Sequence, residues 1–543
     1  MRLYIAGESD SLQTIARQCG TDVRKLMALN PQYNDPSLPI PGLQVKLPPA
    51  EEERVCALPA CTFQLINPSA RESWMPLTSL EEMERTEYDL LIVGTGAGGS
   101  AVLKRVMQQM PGAKLRIGVV ERGGLLIPTH AQNIHTMTPR RAFDYYATEA
   151  DYIDGYLSGQ IYALGGRTLF WSTTSPRMTD SELLQWPVPL AEMADYYAMA
   201  ENALSVTRSF ARDAPLTQQL LHRLQCHGFP DAADEPLAVN LAPPSQFGVL
   251  NSNPFFSSIQ FLAEALNRPY DLAVHARVIK VLTDGSRCAG VEVMTPTKQT
   301  FQLTAKNVVL SASTFGSAHI LLNSGIPGNA IGHYMTNHSR VLGIAHLERH
   351  RFPEMLGPLR ILVPGRIDRP YQIQIIGPRD YPWVQYAVQP LQEQLDILLA
   401  TLGKVEARYE NYVSLDPIRR DEDGVPELNI HFRYSTRDED VIQQMGEGVV
   451  QAAAAMDVSL TSAEGPALCR LPLGSDIHEM GTCRMGIDPQ TSVTDPYGQV
   501  HGIAGLYVAD NSVIPTSGTA NPTLTTVALA FRTADAIVRR LQS

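Results

Sequence analysis

Residues 88 to 110 read YDLLIVGTGAGGSAVLKRVMQQM, and the order within that stretch decides the fold. Leu90 to Val93 form an apolar run of the length of a buried strand, Gly94, Gly96 and Gly99 follow at once, and the residues beyond carry apolar side chains at helical spacing. Strand, glycine turn and helix together place a helix N-terminus against a pyrophosphate. Gly94 permits the tight turn, Gly96 lets backbone amides approach the phosphates, and Gly99 lets helix and strand pack closely, with Ala97 and Gly98 opening the helix between them. A second strand, within RIGVVERGG, ends at Glu121, 22 residues after Gly99, and Arg122 follows it. A carboxylate there accepts hydrogen bonds from ribose hydroxyls. The spacing predicts an α/β unit that binds a dinucleotide.

At 543 residues the chain is long enough for two or three structural units. Its composition, 44% hydrophobic and 18% charged, is that of a globular protein able to bury a whole cofactor. A net charge of −12 argues against nucleic acid, which is held by clustered Lys and Arg. Seven cysteines without a CxxC pair read as reduced thiols, with only Cys56 and Cys61 close in sequence. The opening MRLYIAGESDSLQ lacks the apolar region of a secretory signal, and no run approaches the roughly 18 apolar residues of a membrane span. A cytoplasmic location is the expectation, with export by a specialised route as the alternative.

Residues 1 to 48 read as a separate module. Leu3 to Ala6 suit a short strand, Leu12, Ile15 and Ala16 mark one helix, Leu26 and Leu29 a second, and PGLQVKLPP returns as a strand. In YIAGESDSLQTIARQCGTDVRKLMALNP and PGLQVKLP this βααβ stretch resembles the lysin motif (LysM) family, with Ser9-Asp10 where that family usually has Gly-Asp. The resemblance implies binding of N-acetylglucosamine-containing glycans; a module that only packs or mediates assembly is the alternative. Residues 49 to 86, rich in proline and acids, are expected to be a linker or wrapping segment.

Near the other end, HEMGTCRMG begins at His478 and is followed 43 residues later by Asn521 in GTANPTLTTVALAF. An alcohol that gives up hydride must also lose its hydroxyl proton, so a site for that chemistry needs a base with a pKa near neutrality and a partner that fixes the hydroxyl. His478 and Asn521 suit those tasks. Together with ALGGRTLFWSTTSPRM from Ala163, VHARVIKVLTDGSRCAGVEV from Val274, KNVVLSASTFGSAHILLNSG from Lys306 and the block from His501, they resemble the glucose-methanol-choline (GMC) oxidoreductases in order and spacing. The ANPTLT stretch is closest to the pyranose 2-oxidase and bacterial sugar-dehydrogenase branch.

That resemblance implies a Rossmann-like FAD domain assembled from residues 87–180, 262–340 and 462–543. It also implies a mixed sheet-and-helix substrate domain from residues 181–261 and 341–461, where YQIQIIG, ARYENYVSLDP and PELNIHFRYS have strand character and RRDEDG breaks two of them. It implies that Gly165 and Gly166 line the flavin, that Val278 meets adenine through its backbone, and that Asp510 lies near the ribityl chain or pyrophosphate. Further cofactor contacts are implied at Trp171, Asn521, Pro522 and Thr523. Where pyranose oxidases carry the histidine that tethers FAD, this chain has Phe170, so FAD is expected to be non-covalent. The implied reaction passes hydride from a sugar or other alcohol to flavin N5 while His478 takes the proton and Asn521 orients the hydroxyl. Oxygen or a quinone is the implied electron acceptor. A non-redox flavoprotein of lyase or decarboxylase type, or a glycan-binding protein acting through the first module, are the alternatives. His333, His338 and His501 lack a spaced carboxylate or thiolate set, so no metal is expected. Cys483 is expected to be a packed thiol.

Overall fold

The computed structural model describes residues 2–48, 74–134, 150–241, 254–351, 357–378, 394–461 and 465–542. Cys56, Cys61 and most of the proline-rich segment lie outside them. The chain divides into two compact units, Met1–Arg71 and Glu72–Ser543.

The first unit has the βααβ order that its sequence predicts. Strands Arg2–Ile5 and Gln44–Leu47 pair antiparallel, and helices Leu12–Gln18 and Val23–Leu29 lie between them. Ser11 and Thr14 form a capping box at the first helix. Asp10, beside the departure from the family pattern, is buried and accepts from the Gly7 amide at 2.8 Å and the Tyr4 hydroxyl at 2.7 Å. Asn30, fully buried, exchanges hydrogen bonds with the Lys46 backbone and so ties the second helix to the second strand.

In the second unit five parallel strands lie in the order Asp271–Ala273, Ile117–Val120, Leu90–Val93, Val308–Leu310, Leu506–Val508. The inner strands are buried along their whole length, which is why they read as unbroken apolar runs. The helix Ala97–Gln109 follows the fingerprint strand, and the C-terminal helix Thr523–Gln542 packs against it. A three-stranded antiparallel sheet, Arg277–Asp284, Arg287–Met294 and Thr300–Thr304, stands beside this layer. Residues 74 to 86 fold onto the same unit: Met75, Leu80 and Met83 are buried in its core, and Ser79 and Glu82 cap a short helix.

The larger antiparallel sheet is built chiefly from Val341–Glu348, Gln394–Lys404, Tyr371–Gly377 and Leu359–Val363, with helix Thr436–Met456 across one face. The other two strand-like stretches of the sequence, Tyr412–Arg420 and Pro426–His431, do not join this sheet. They form a separate hairpin around the acidic break, and Val413 and Ile430 belong to the core of the parallel-sheet layer. Arg277, on the three-stranded antiparallel sheet beside that layer, binds Asp421 and Asp423 of the hairpin turn, which accounts for where the hairpin docks. Among the described residues no helix is long and apolar enough to cross a membrane.

Candidate active site

The fingerprint glycines differ in what they do. Gly94 has φ +95°, and a Cβ there would stand 2.3 Å from the Ser311 carbonyl oxygen. A Cβ on Gly99 would meet the Gly94 oxygen at 2.1 Å, so helix and strand touch backbone to backbone. Gly96, the N-cap of the helix, receives no side-chain cap, and a Cβ built on it would meet no protein atom within 4 Å. The start of the helix therefore has open space beside Gly96, a cradle with room of the kind that a pyrophosphate at a helix N-terminus requires. Gly98, with Ala97 in the first turn, packs instead on the distant loop that holds Asp510: its Cβ would fall 1.7 Å from the Ala509 oxygen.

Around this cradle the fold gathers several of the residues singled out in the sequence. Gly165 (φ +95°) and Gly166 (φ +52°) turn against it, and a Cβ on Gly166 would stand 3.7 Å from the Gly96 Cα. The Gly165 amide donates to the Thr95 hydroxyl at 2.9 Å, and the Ser258 hydroxyl donates to the Thr95 carbonyl at 2.8 Å. Glu121 is buried; its Oε2 accepts from the Thr95 amide and hydroxyl and its Oε1 from the Gly123 amide, which leaves Oε1 one acceptor position. Burial pushes its pKa up. Asp510 caps the turn Asn511–Val513 through Ser512 and accepts from the Ser317 hydroxyl at 2.5 Å; burial raises its pKa also. Val278 is buried on the antiparallel strand, two residues after Ala276, whose amide donates to the Glu121 carbonyl. The Trp171 indole donates to the Phe256 carbonyl at 2.9 Å. Arg122 is exposed and lies over the Tyr162 ring at 3.8 Å.

His478 is presented by a strained turn. Ile477 before it has φ +59°, a conformation that costs a β-branched residue of order 1–3 kcal/mol. Arg167, from the loop that carries Gly165 and Gly166, holds this turn in place by donating to the Ile477 carbonyl at 3.0 Å and to Glu479 at 2.8 Å. On its other side Met480 and Thr336 exchange backbone hydrogen bonds, which sets His338 against His478 with their Nδ1 atoms 3.0 Å apart. The His338 Nε2 lies 3.0 Å from the Gly518 carbonyl. Asp476 Oδ2 stands 3.7 Å from the Nδ1 of each ring and accepts from the His338 amide at 3.1 Å. These three side chains bring their ligand-type atoms within 4.8 Å of one another. The expectation that His338 lacks a carboxylate set is therefore corrected: spacing along the chain does not see a cluster that a backbone bridge assembles. Burial, reinforced by His338, Arg340 and Arg167, drives the His478 pKa well below its ordinary value. Burial also lowers His338 to about 4 and, with Glu479 nearby, raises Asp476 to about 7. The imidazole of His478 is thus held neutral while its side chain stays one-fifth exposed.

Asn521, buried just ahead of Pro522 and Thr523 at the start of the C-terminal helix, accepts on Oδ1 from Gln372 at 2.9 Å and Gln374 at 2.6 Å. Both amides come from one face of the strand Tyr371–Gly377. With its oxygen taken, Asn521 has Nδ2 hydrogens to give. The loop before it is clamped by Ser517 on Val405 and by the Thr519 amide on Glu182. The two residues are therefore joined through His338 and Gly518. Cys483 is fully buried and its thiol pKa is raised by burial, as a packed thiol requires.

Two models of the GMC oxidoreductase family match residues 89–340 and 407–530, and a LysM domain model matches residues 4–48. The chain belongs to the GMC oxidoreductase family. It is an FAD-binding flavoprotein of the oxidoreductase class carrying an N-terminal LysM domain. It is 28% identical to a C-glycoside 3-oxidase of Arthrobacter globiformis over 397 residues, 70% of this chain and 74% of that one. It is 26% identical to a pyranose 2-oxidase of Tricholoma matsutake over 280 residues, 44% of this chain and 47% of that one. Among solved structures, a pyridoxine 4-oxidase from Mesorbium loti superposes with a TM-score of 0.61 at 13% identity, over 83% of this chain and 99% of the other, and so shares the fold. The open cradle at Gly96 and the turn at Gly165 and Gly166 fit the pyrophosphate of FAD.

Proposed function

We propose that this protein oxidises a hydroxyl-bearing carbon of a sugar or glycoside, with His478 as the base and Asn521 as the hydrogen-bond donor that orients the hydroxyl. The complementary pair carries this reading: a neutral imidazole on one side, and on the other an amide whose oxygen Gln372 and Gln374 already occupy. The base takes the hydroxyl proton, and the amide supports the oxygen as negative charge builds on it. Bound FAD supplies the hydride acceptor. Gly94 to Gly99, Glu121, Gly165, Gly166, Val278 and Asp510 would hold it. Phe170 offers no nucleophile to the cofactor, so the attachment is read as non-covalent. The names of the C-glycoside and pyranose oxidases supply the substrate class. Glycan binding through residues 1–48 is the reading that the LysM match at residues 4–48 supports.

The test is anaerobic mixing of the holoprotein with monosaccharides, glycosides and simple alcohols while the visible flavin band is followed. Sugars or glycosides should bleach it, after which air or a quinone identifies the acceptor. His478→Ala should keep its flavin and slow bleaching by ~10²–10⁴. Gln372→Glu puts an acceptor in place of one of the two donors that fix the Asn521 oxygen, sets it against Gln374 over the amide's orientation, and should slow bleaching with flavin retained. A folded, FAD-loaded protein that no alcohol bleaches defeats the reading and favours non-redox chemistry.

A further inference from the structure

We infer that His338 is a positioning residue that fixes the tautomer of His478, so that Nε2 of His478 is the atom that takes the substrate proton. This rests on reading His478 as the base. The argument starts at the Gly518 carbonyl, which can only accept a hydrogen bond. Its partner at 3.0 Å is Nε2 of His338, so that nitrogen carries a hydrogen. A neutral imidazole has one, which leaves Nδ1 of His338 as a lone pair. Nδ1 of His478, 3.0 Å away, must then be the donor, and Nε2 of His478 is left bare. The rings stand at 90° to each other with centroids 5.1 Å apart, so the contact runs from nitrogen to nitrogen and is not a ring stack.

Asp476 does not take this orienting role, although a carboxylate behind a catalytic imidazole is the familiar arrangement. Its Oδ2 is 3.7 Å from the His478 Nδ1, beyond hydrogen-bond reach, and is engaged with the His338 amide. The charged or titratable groups acting on the two rings are Asp476, Arg340 and Arg167, and Glu479 acts on Asp476. Burial holds His338 neutral, which the argument requires. Gly518 is itself held firmly, since Ser517 and Thr519 on either side are bonded to Val405 and Glu182. The loop that delivers Asn521 therefore also determines which nitrogen of His478 is basic. In the reaction the hydroxyl proton moves to Nε2, the O–H bond breaks, and the resulting imidazolium keeps its Nδ1–H on His338.

The experiment is long-range ¹⁵N–¹H correlation spectroscopy of the holoprotein labelled at histidine nitrogens, with the His478 signals assigned by their loss in His478→Ala. Wild type should show His478 protonated at Nδ1 and bare at Nε2. His338→Asn, which offers an amide oxygen where Nδ1 stood, should preserve that pattern. His338→Leu should shift His478 toward Nε2–H and slow anaerobic flavin reduction by ~10²–10⁴, with much of the loss restored in the asparagine variant. A wild-type His478 carrying its hydrogen on Nε2 overturns the inference without any variant, and so does an unchanged tautomer in a folded His338→Leu protein. Full-speed flavin reduction by His478→Ala would instead defeat the reading of His478 as base while leaving the tautomer result standing.

Discussion

At the scale of single residues, the site depends on keeping one imidazole uncharged. The proposed base, His478, can act only when neutral, and its pKa lies below the ordinary 6.5 because burial and the neighbouring His338, Arg340 and Arg167 oppose a proton. Activity is lost as pH falls through that value, so the acid limb of flavin reduction should lie below pH 6.5. Asp476, titrating near 7, adds negative charge 3.7 Å away as pH rises and favours the imidazolium that forms in the reaction. Stopped-flow reduction between pH 5 and 9 checks this; half-loss at pH 6.5 or above contradicts it. The two residues proposed to meet the reacting hydroxyl were legible in the sequence because each sits in a specific motif. Their supports were not. His338, Arg167, Gln372 and Gln374 come from loops and strands far away in the chain. The alternation in YQIQIIG marks a strand without showing which way its glutamines face, and Gln372 and Gln374 are only 1% and 5% exposed. A polar face turned inward toward Asn521 has the same period as one turned toward water.

At the scale of elements, the strand, turn and helix of the fingerprint were readable because an apolar run, the glycine spacing and a helical pattern follow one another directly in the chain. The role of Gly98 was not readable, since its neighbour Ala509 arrives from the far end of the chain. The difference between two glycines in one motif is testable. Gly96→Ala places a methyl where no protein atom stands within 4 Å, at a backbone conformation any residue adopts, so the protein should fold with its melting temperature nearly unchanged. The methyl projects into the phosphate cradle and should weaken FAD binding at least about tenfold, about 1.4 kcal/mol. Gly98→Ala drives its methyl into the Ala509 backbone and should lower stability directly, with or without FAD. Flavin content by absorbance and thermal melting of the apo and loaded forms separate the two. Equal FAD affinity in wild type and Gly96→Ala would show that the cradle is not where the pyrophosphate binds.

At the scale of the whole oxidoreductase unit, the chain closes on itself. Its parallel sheet draws strands from near residues 90, 118, 272, 309 and 507, and its last helix begins at the site and runs back along the fingerprint helix. The order of those segments was legible from their separate motifs, but the bond that locks the two helices was not, because Arg105 and Asp535 lie 430 residues apart and no spacing pairs them. Asp535 receives two parallel hydrogen bonds from Arg105, at 2.7 and 2.9 Å, and a third from the Tyr196 hydroxyl at 3.0 Å, with both charged side chains less than one-fifth exposed. A forked pair this sheltered is worth more than a surface ion pair, and removing one partner strands the other. Asp535→Ala should therefore cost about 2 kcal/mol and lower the melting temperature by a few degrees. Flavin reduction in the folded protein should change little, because Gln372 and Gln374 hold Asn521 locally, just ahead of the helix start and several turns away from Asp535. An unchanged melting temperature would show that packing alone joins the helices. A large loss of flavin reduction with stability intact would show that the far end of the helix governs where Asn521 stands.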